Sequence, residues 1–418
     1  MPSVKTITLG CRFNSYESEV AKAALNAAKP ERDVVVINTC AVTREAERQS
    51  RQAVRKAIRE NKGADIIVTG CAVKTSYDYF KSLDGVCSVV PNDEKNAISS
   101  RIPRQFSVAS TTDVDHGALF RDKIRAFLQI QNGCDNWCSY CIVPITRGAS
   151  RSLPVGDILR RVESLLTTDC KEIVLSGIDI TSYGKELNGP CQDLADVIEA
   201  ILSAFPEVTR LRISSLDPHG VDERLQDLFV KESRIMPHFH LSIQSGDNSV
   251  LKAMKRRHTR DDVVSLCQYL LNRRAGVVLG GDLIAGFPTE TDAMFQNTLN
   301  LIDDANLTLA HVFPYSPRSG TVAANMIQNH KSVIAERAKT LRDKAHASKQ
   351  KLFESLTGST VSGIVEECTD EIAYGKTDSF IPLQLIRPPS IKVRPGDLVS
   401  ADIVRFTDDW LVGNYMVI

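Results

Sequence analysis

Short apolar runs punctuate the first three quarters of the chain, at residues 6–9, 34–37, 66–68, 124–130, 172–175, 211–214, 238–243, 277–284 and 309–313. Each is too short for a helix and carries few polar positions, the pattern of strands covered on both faces. Stretches of helical periodicity, such as 157–166 and 194–204, lie between them. Strands alternating with helices predict parallel sheets joined by crossover helices. The first three runs form an N-terminal α/β unit and the next six a (β/α) barrel, closed wholly or in part. Residues 96–122 are polar and poorly periodic and read as a linker, while 335–353 reads as a polar helix that ends the barrel unit. After Gly358 the pattern changes to short alternating strands at 360–365, 380–385 and 399–406, with a turn at Arg394-Pro395-Gly396-Asp397. That is the signature of a small antiparallel β-barrel of about sixty residues. The predicted class is α/β, with units at 1–105, 120–353 and 354–418.

Composition narrows this picture. A hydrophobic fraction of 43% suits a large buried core. The 51 Lys and Arg residues balance 51 Asp and Glu, so any nucleic-acid surface must be local. No apolar run approaches the roughly 20 residues of a membrane span, and the first residues lack a secretory pattern. With 11 cysteines, this predicts a cytoplasmic protein whose thiols bind metal instead of pairing as disulfides.

The cysteines have a pattern of their own. Cys134, Cys138 and Cys141 lie in Gly133-Cys134-Asp135-Asn136-Trp137-Cys138-Ser139-Tyr140-Cys141, a C-x3-C-x2-C loop with no obvious fourth ligand. Iron–sulfur clusters normally take four protein ligands, so three leave one iron open to a small molecule. A structural zinc would need a distant fourth ligand, for the nearest histidines are His116 and His219. Cys11, Cys40 and Cys71 each follow one of the first three strands within a few residues. The carboxyl ends of parallel strands line one edge, so these three can converge on one cluster. Taken singly, each would read as a small core residue. Cys87, Cys170, Cys191, Cys267 and Cys368 match no such pattern and read as packing residues.

Two segments are locally basic. Arg44, Arg48, Arg51, Arg55 and Arg59 recur at helical spacing, offset by Glu45 and Glu47. A salt-bridged solvated face and a surface for RNA phosphates are both open readings. Residues 252–260, with Lys255 and Arg256 at their centre, are either phosphate grips near the barrel mouth or a solvated helix. Arg147 and Arg151, beyond the cysteine loop, suit either substrate contact or salt bridges.

The cysteine loop resembles the signature of the radical S-adenosylmethionine (SAM) enzymes. Beyond it, Leu9-Gly10-Cys11-Arg12-Phe13-Asn14, Asn38-Thr39-Cys40-Ala41-Val42-Thr43 and Thr69-Gly70-Cys71 resemble the three amino-terminal motifs of the bacterial methylthiotransferases. Ser176-Gly177, Arg212-Ile213-Ser214-Ser215, Leu241-Ser242-Ile243-Gln244-Ser245-Gly246 and Gly286-Phe287-Pro288-Thr289-Glu290-Thr291 resemble that family's barrel motifs. The resemblance implies an N-terminal methylthiotransferase domain, a radical SAM core and a C-terminal TRAM domain. It implies a [4Fe-4S] cluster on Cys134, Cys138 and Cys141 that binds SAM, and a second [4Fe-4S] cluster on Cys11, Cys40 and Cys71 bearing the sulfur. Tyr140, Gly177, Gln244, Ser245 and Gly246 become candidates for the SAM pocket. The implied partners are tRNA, contacted by the two basic segments, and an electron-donor protein.

Residues 38–59 and 311–321 are most similar to the subfamily that adds a methylthio group to C2 of N6-threonylcarbamoyladenosine at tRNA position 37. Sister subfamilies modify isopentenyladenosine in tRNA or a ribosomal-protein aspartate. A reading from another class is a non-catalytic RNA-binding protein with structural zinc. Three features depart from the family pattern. The segment between Glu19 and Val34 is short, as though a strand were missing, which leaves the sheet order open. Asp179 stands where relatives carry a neutral or basic polar residue. From Thr360 onward there are five Lys or Arg against nine Asp or Glu, where an RNA-binding module would be basic.

Overall fold

The computed structural model describes residues 2–101, 116–120, 123–189, 193–369, 371–386 and 392–416. Much of the expected linker, and Cys191, lie outside the described residues. The N-terminal sheet is parallel, with β1 (Val4–Thr8), β2 (Val34–Thr39), β3 (Asp65–Gly70) and β4 (Val86–Val90) in spatial order 1-2-3-4. The short segment before Val34 is the single helix α1 (Arg12–Ala27), which joins β1 directly to its neighbour β2. Helices α2 (Arg44–Glu60) and α3 (Cys71–Lys81) pack with Val35, Ile37, Ile66 and Val68, whereas α1 packs with Val34, Val36 and Ile67. Both faces are covered, which is why β2 carries the continuous run Val34-Val35-Val36-Ile37.

The barrel begins with β5 (Arg125–Gln129), followed by a short antiparallel ribbon of β6 (Gln131–Asn132) and β7 (Arg151–Ser152). Then come β8 (Glu172–Ser176), β9 (Leu211–Ile213), β10 (His238–Gln244), β11 (Val278–Ala285) and β12 (Leu307–Pro314). Strands β5-β8-β9 and β10-β11-β12 form two parallel sheets, linked by parallel bridges Leu211–Ile235 and Leu216–Leu241. The result is a partial six-stranded barrel, with β5 and β12 unpaired to each other among the described residues. Helix Lys331–Leu356 packs Ala338, Leu341 and Ala345 into the barrel's core and Phe353 into the next unit.

The last unit is a closed barrel of β13 (Thr360–Cys368), β14 (Ile372–Thr377), β15 (Pro382–Ile386), β16 (Leu398–Phe406) and β17 (Leu411–Met416), in order 13-14-15-17-16. The sequence pattern did not show β4, β14 or β17. Cys87, expected to pack, is exposed on β4, while Cys267 lies in the barrel core and Cys170 and Cys368 are partly buried against cores. No helix among the described residues is long and apolar enough to cross a membrane.

One ionic cluster joins the units. Glu172 on β8 is fully buried and accepts hydrogen bonds from Arg125 Nε at 2.8 Å, Arg212 Nε at 2.6 Å and Arg210 Nη2 at 3.0 Å. Arg125 and Arg210 also reach Glu366 and Asp378 of the C-terminal barrel, so three guanidiniums face three carboxylates. Phe380, in the left-handed region at φ 67°, inserts its ring among them, with Arg212 and Arg12 each 4.8 Å and Lys376 4.4 Å from its centroid. Arg12 belongs to α1, so the ring touches cations from all three units.

Burial would raise the Glu172 pKa, but the hydrogen bond and charge of Arg212, with Arg125 and Arg210, outweigh it and hold the carboxyl at about 2. A depressed carboxylate stabilises the fold above its unfolded pKa and ceases to as pH falls through the folded one. Glu172→Gln should therefore cost about 3–5 kcal/mol at neutral pH, since it strands buried guanidiniums. Urea denaturation should show the gap to the parent chain narrowing only as pH falls from 4.5 towards about 2.

Candidate active site

The cysteine loop follows β6 at the carboxyl end of the barrel and is pinned on three sides. Cys134 N–H donates to the Gly148 carbonyl at 3.1 Å, Ser139 N–H to the Met254 carbonyl at 3.0 Å, and Ala323 N–H to the Ser139 carbonyl at 2.7 Å. Gly133 sits at φ 74°, and a Cβ there would lie 1.9 Å from the Ala149 carbonyl oxygen, so no other residue lets the loop turn so close to its neighbour. The three cysteines and Tyr140 form one wall of a cavity of roughly 270 Å³. Ile178 and Asp179 beyond β8, Ser242 and Gln244 of β10, and Asp282 and Ile284 of β11 line it from the strands. Val42 and Thr43, just beyond Cys40, close it from the N-terminal unit.

Two of the loop thiols are buried enough to favour the protonated form. Burial pushes Cys134 up to about 11 and Cys141 to about 12, with neighbouring thiols adding to the rise. Thiolates form here only when a cation replaces the protons, as metal binding does. Arg256 Nη1 lies 3.5 Å from Cys138 Sγ, and the backbone N–H groups of Asn136 and Val143 turn towards Cys134 and Cys141. Among the described residues no three cysteine sulfurs lie within 4.8 Å of one another. Three thiolates on one zinc would sit about 3.8 Å apart, from a Zn–S bond of about 2.3 Å.

The second set lies at adjacent strand ends. Cys11 is the residue before α1, Cys40 follows β2 and Cys71 opens α3. Gly10 is at φ 95°, and a Cβ there would come 2.7 Å from Cys40 Sγ, so glycine makes the space for that sulfur. Burial pushes Cys40 up to about 11, and both other thiols contribute. Asn92 Nδ2 lies 3.8 Å from Cys71 Sγ and donates to the Thr146 carbonyl at 2.8 Å. Arg147, at the end of helix Val143–Arg147, lies within the electrostatic reach of Cys71 and Cys11. It donates to Asn14 Oδ1 at 2.6 Å and Glu17 Oε1 at 2.9 Å, with Phe13 under its guanidinium at 4.4 Å. Burial acts against the Glu17 charge, but Lys95 and Arg147 hold that carboxyl at about 2.

Other expected residues divide. Tyr140 and Gln244 line the cavity, Gln244 at φ 77°. Gly177 is not on the wall; it gives room for Gln131 and Ile180, and the next two residues face the cavity. Ser245 and Gly246 turn away, because Gly246 packs on Asn297 and donates to Thr298 Oγ1 at 3.0 Å, and Ser245 Oγ lies 3.2 Å from the same hydroxyl. Arg256 is not a surface phosphate grip. It is buried against Cys138, the Ser242 carbonyl and Asp217, which also pairs with Arg257. Within residues 252–260, one helix ends at Ala253 and the next opens at Arg260; Lys255, between them, is exposed. On α2, Arg44, Arg48, Arg55 and Arg59 are exposed, but Arg51 turns inward to Glu47, Ser76 and the Tyr79 ring. Arg151 bonds backbone carbonyls of Ala149 and Arg147. The sequence reading missed Asp217 as the anchor of Arg256. It also missed the set His240, Asp282 and His311, in which His240 Nε2 lies 2.9 Å from Asp282 Oδ1. Their positions on three adjacent strands were the available signal: His311 pairs with Asp282 in register, and His240 pairs with Gly280, two residues before Asp282.

Comparison with known proteins agrees with this geometry. The radical SAM superfamily model matches residues 128–302, and that of the uncharacterised family UPF0004 matches residues 3–90. A threonylcarbamoyladenosine tRNA methylthiotransferase MtaB of Rickettsia prowazekii (strain Madrid E) is 41% identical over 97% of this chain and 96% of its own. The chain belongs to the MtaB-like radical SAM tRNA methylthiotransferases. The like-named protein of Chlamydia pneumoniae is 35% identical over 98% of the chain and 97% of its own. A tRNA-2-methylthio-N(6)-dimethylallyladenosine synthase of Alkaliphilus oremlandii (strain OhILAs) is 33% identical over 89% and 82%. Among solved structures, the radical SAM methyltransferase TsrM of Kitasatospora setae, with cobalamin and a [4Fe-4S] cluster bound, matches at TM-score 0.53 and 15% identity, covering 76% of this chain and 77% of its own. This last likeness concerns the fold alone. As a family member the chain is a transferase that methylthiolates tRNA, with SAM and a [4Fe-4S] cluster as its cofactors, and the structural-zinc alternative falls away.

Arg147→Ala should loosen the N-terminal unit, because it removes a buried cross-link from the barrel to Asn14 and Glu17. The expected cost is about 3 kcal/mol. Hydrogen exchange should quicken in α1 and leave the barrel strands unchanged; uniform protection would assign Arg147 no such role.

Proposed function

We propose that this enzyme adds a methylthio group to C2 of N6-threonylcarbamoyladenosine at position 37 of tRNA. One observation carries the two-centre reading: Val42 and Thr43, directly beyond Cys40, share a cavity with Cys134, Cys138 and Cys141. On this reading Cys134, Cys138 and Cys141 hold the SAM-binding [4Fe-4S] cluster, and Cys11, Cys40 and Cys71 hold a second one near the same cavity. When bound, the two clusters with SAM supply the radical hydrogen abstraction and the sulfur to be transferred. The protein's own groups hold, orient and shield. Tyr140 and Gln244 wall the SAM pocket, and Arg256 fixes the Cys138 side while Asp217 fixes Arg256. The exposed Arg44, Arg48, Arg55 and Arg59 supply a phosphate-facing stripe beside the cavity, because the Arg44 amide donates to Ser316 Oγ of the cavity wall at 3.1 Å.

The proposed units are residues 1–105 for the methylthiotransferase domain, 120–353 for the radical SAM core and 354–418 for the TRAM domain. The proposed setting is the cytoplasm, with a reducing partner protein. The identity of 41% to a relative named for threonylcarbamoyladenosine, against 33% to one named for dimethylallyladenosine, favours the first substrate. Nucleoside mass spectrometry of tRNA from cells lacking the gene and cells with it restored tests this. The 2-methylthio form of N6-threonylcarbamoyladenosine should vanish and return; loss of the dimethylallyl product instead would move the substrate assignment. In the purified protein, Cys138→Ala should abolish SAM cleavage and lower iron from about eight to about four per chain. Cleavage that survives would remove the loop from the mechanism.

A further inference from the structure

Three polar side chains meet inside the barrel. His240 on β10, Asp282 on β11 and His311 on β12 come from adjacent strands, and their ligand atoms all lie within 4.8 Å of one another. Asp282 Oδ1 is shared: His240 Nε2 stands 2.9 Å from it and His311 Nδ1 3.5 Å. No lysine or arginine pairs with this carboxylate among the described residues. Gly280, opposite His240 in register, makes room for the ring, since a Cβ there would come 2.8 Å from His240 Nδ1. Glycine inside a strand weakens it and marks a close approach. Alternate residues of a strand share a face. Ser242, Ile284 and Phe313, each two residues further along its strand, line the cavity, as does Asp282 itself. The set is therefore part of the cavity floor. It is also open to a ligand, because the His311 side chain is 66% exposed and that of Asp282 25%.

We propose that His240, Asp282 and His311 hold one divalent transition-metal ion of the zinc class, and that its free positions take the carboxylate of the threonylcarbamoyl group. The carboxylate contact rests on the proposed substrate; the metal site does not. Two imidazoles and one carboxylate are a donor set that such ions favour. A tetrahedral zinc with bonds of about 2.0–2.2 Å spans ligand pairs about 3.4 Å apart, and the two pairs on Asp282 Oδ1 bracket that span. No fourth histidine, cysteine or carboxylate joins the set among the described residues, and a site with three protein ligands keeps a position for an incoming one. The threonyl group offers a carboxylate and a hydroxyl, whereas a dimethylallyl group offers no oxygen. Direct pairing of the substrate carboxylate with the two histidines is the weaker arrangement, because Asp282 already faces them and repels a second carboxylate. A divalent ion removes that conflict, its two charges matching one from Asp282 and one from the substrate.

The test uses full-length enzyme with its clusters loaded, dialysed anaerobically against micromolar zinc and read by elemental analysis. The parent should hold about one zinc per chain at this site, and Asp282→Asn and His311→Ala should each lose it with iron unchanged. His311→Ala alters a largely exposed side chain, so it remains informative where Asp282→Asn fails to fold. Binding of anticodon stem-loops reads the carboxylate contact. Zinc should tighten parent binding of a stem-loop bearing N6-threonylcarbamoyladenosine on the order of tenfold, and should leave binding of its uncharged threonyl methyl ester unchanged. His311→Ala should abolish the gain. A parent that takes up no zinc, or zinc that persists in both variants, would overturn the metal site. A preference for the free carboxylate that needs no zinc would also overturn it, and would assign the histidines to direct contact. If zinc binds as expected but cells lacking the gene lose the dimethylallyl product, the substrate reading has failed: the carboxylate contact falls with it and the metal site stands.

Discussion

Glu172 carries no exposed surface and holds three guanidiniums, and the mutual position of the three units depends on that arrangement. Its oxygens fix the direction of Arg125, Arg210 and Arg212. The far ends of those side chains then find Glu366 and Asp378 on the C-terminal barrel. Replacing such a network by apolar side chains of equal volume would lose little stability, because desolvation cancels much of the Coulombic gain. What it supplies is geometry: a planar fork accepts one partner direction, where an apolar contact accepts many. Phe380 adds the third unit, since Arg12 follows Cys11 by one residue and packs on that ring. A contact at the base of the barrel thus bears on where the first N-terminal cysteine lies.

A second buried arginine completes the alignment at the other end. Arg147 terminates the short helix after the cysteine loop and bonds α1 through Asn14 and Glu17. Arg318, on the segment after β12, pairs with Glu47 on α2, and Ser316 accepts the Arg44 amide. The N-terminal unit is therefore tied at Phe380, at Arg147 and at Glu47. Three separated attachments define a rigid placement, and this places Val42 and Thr43 on the cavity that the loop cysteines line.

Sequence alone made the cysteines legible because strand ends are recognisable even when sheet order is not. Strands β8, β9, β10 and β11 showed as apolar runs for the same reason that β2 did: cover on both faces removes polar positions. Strand β4 hid because it is an edge strand with exposed Cys87, and β14 and β17 because Gly375 and Gly413 interrupt their alternation. The direction of a side chain off a loop is not encoded in local pattern at all. Arg256 and Lys255 are adjacent in one basic run, yet one lies against Cys138 and the other in solvent, because Asp217, 39 residues earlier, captures Arg256. Ser245 and Gly246 belong to a family-like motif but serve to seat the strand end on Thr298. Arg51 shares its periodicity with four exposed arginines and differs only in having Tyr79 and Ser76 opposite.

The acidity of the C-terminal barrel now has a structural account. Glu366 and Asp378 face Arg125 and Arg210, Asp397 accepts the Arg394 amide, and Asp402 accepts the Thr360 hydroxyl. These carboxylates are spent on the attachment and on the barrel's own turns, so the sequence charge overstates the field the unit presents outward. The same holds with opposite sign for the basic run at residues 252–260, where Asp217 takes Arg256 and Arg257 and Asp304 takes Arg260. Local charge in a sequence predicts a partner only after such internal pairs are removed. The cations that survive that subtraction are Lys252 and Lys255 beside the cysteine loop, and on α2 Arg44, Arg55 and Arg59, with Arg48 paired to Glu45 at its surface. They lie on two different segments, one against the loop that carries Trp137 and one against the cavity lip at Ser316. A polyanionic substrate meets only the cations that internal pairing leaves free, so the residual charge on these segments, and not the composition of the chain, decides where tRNA can lie.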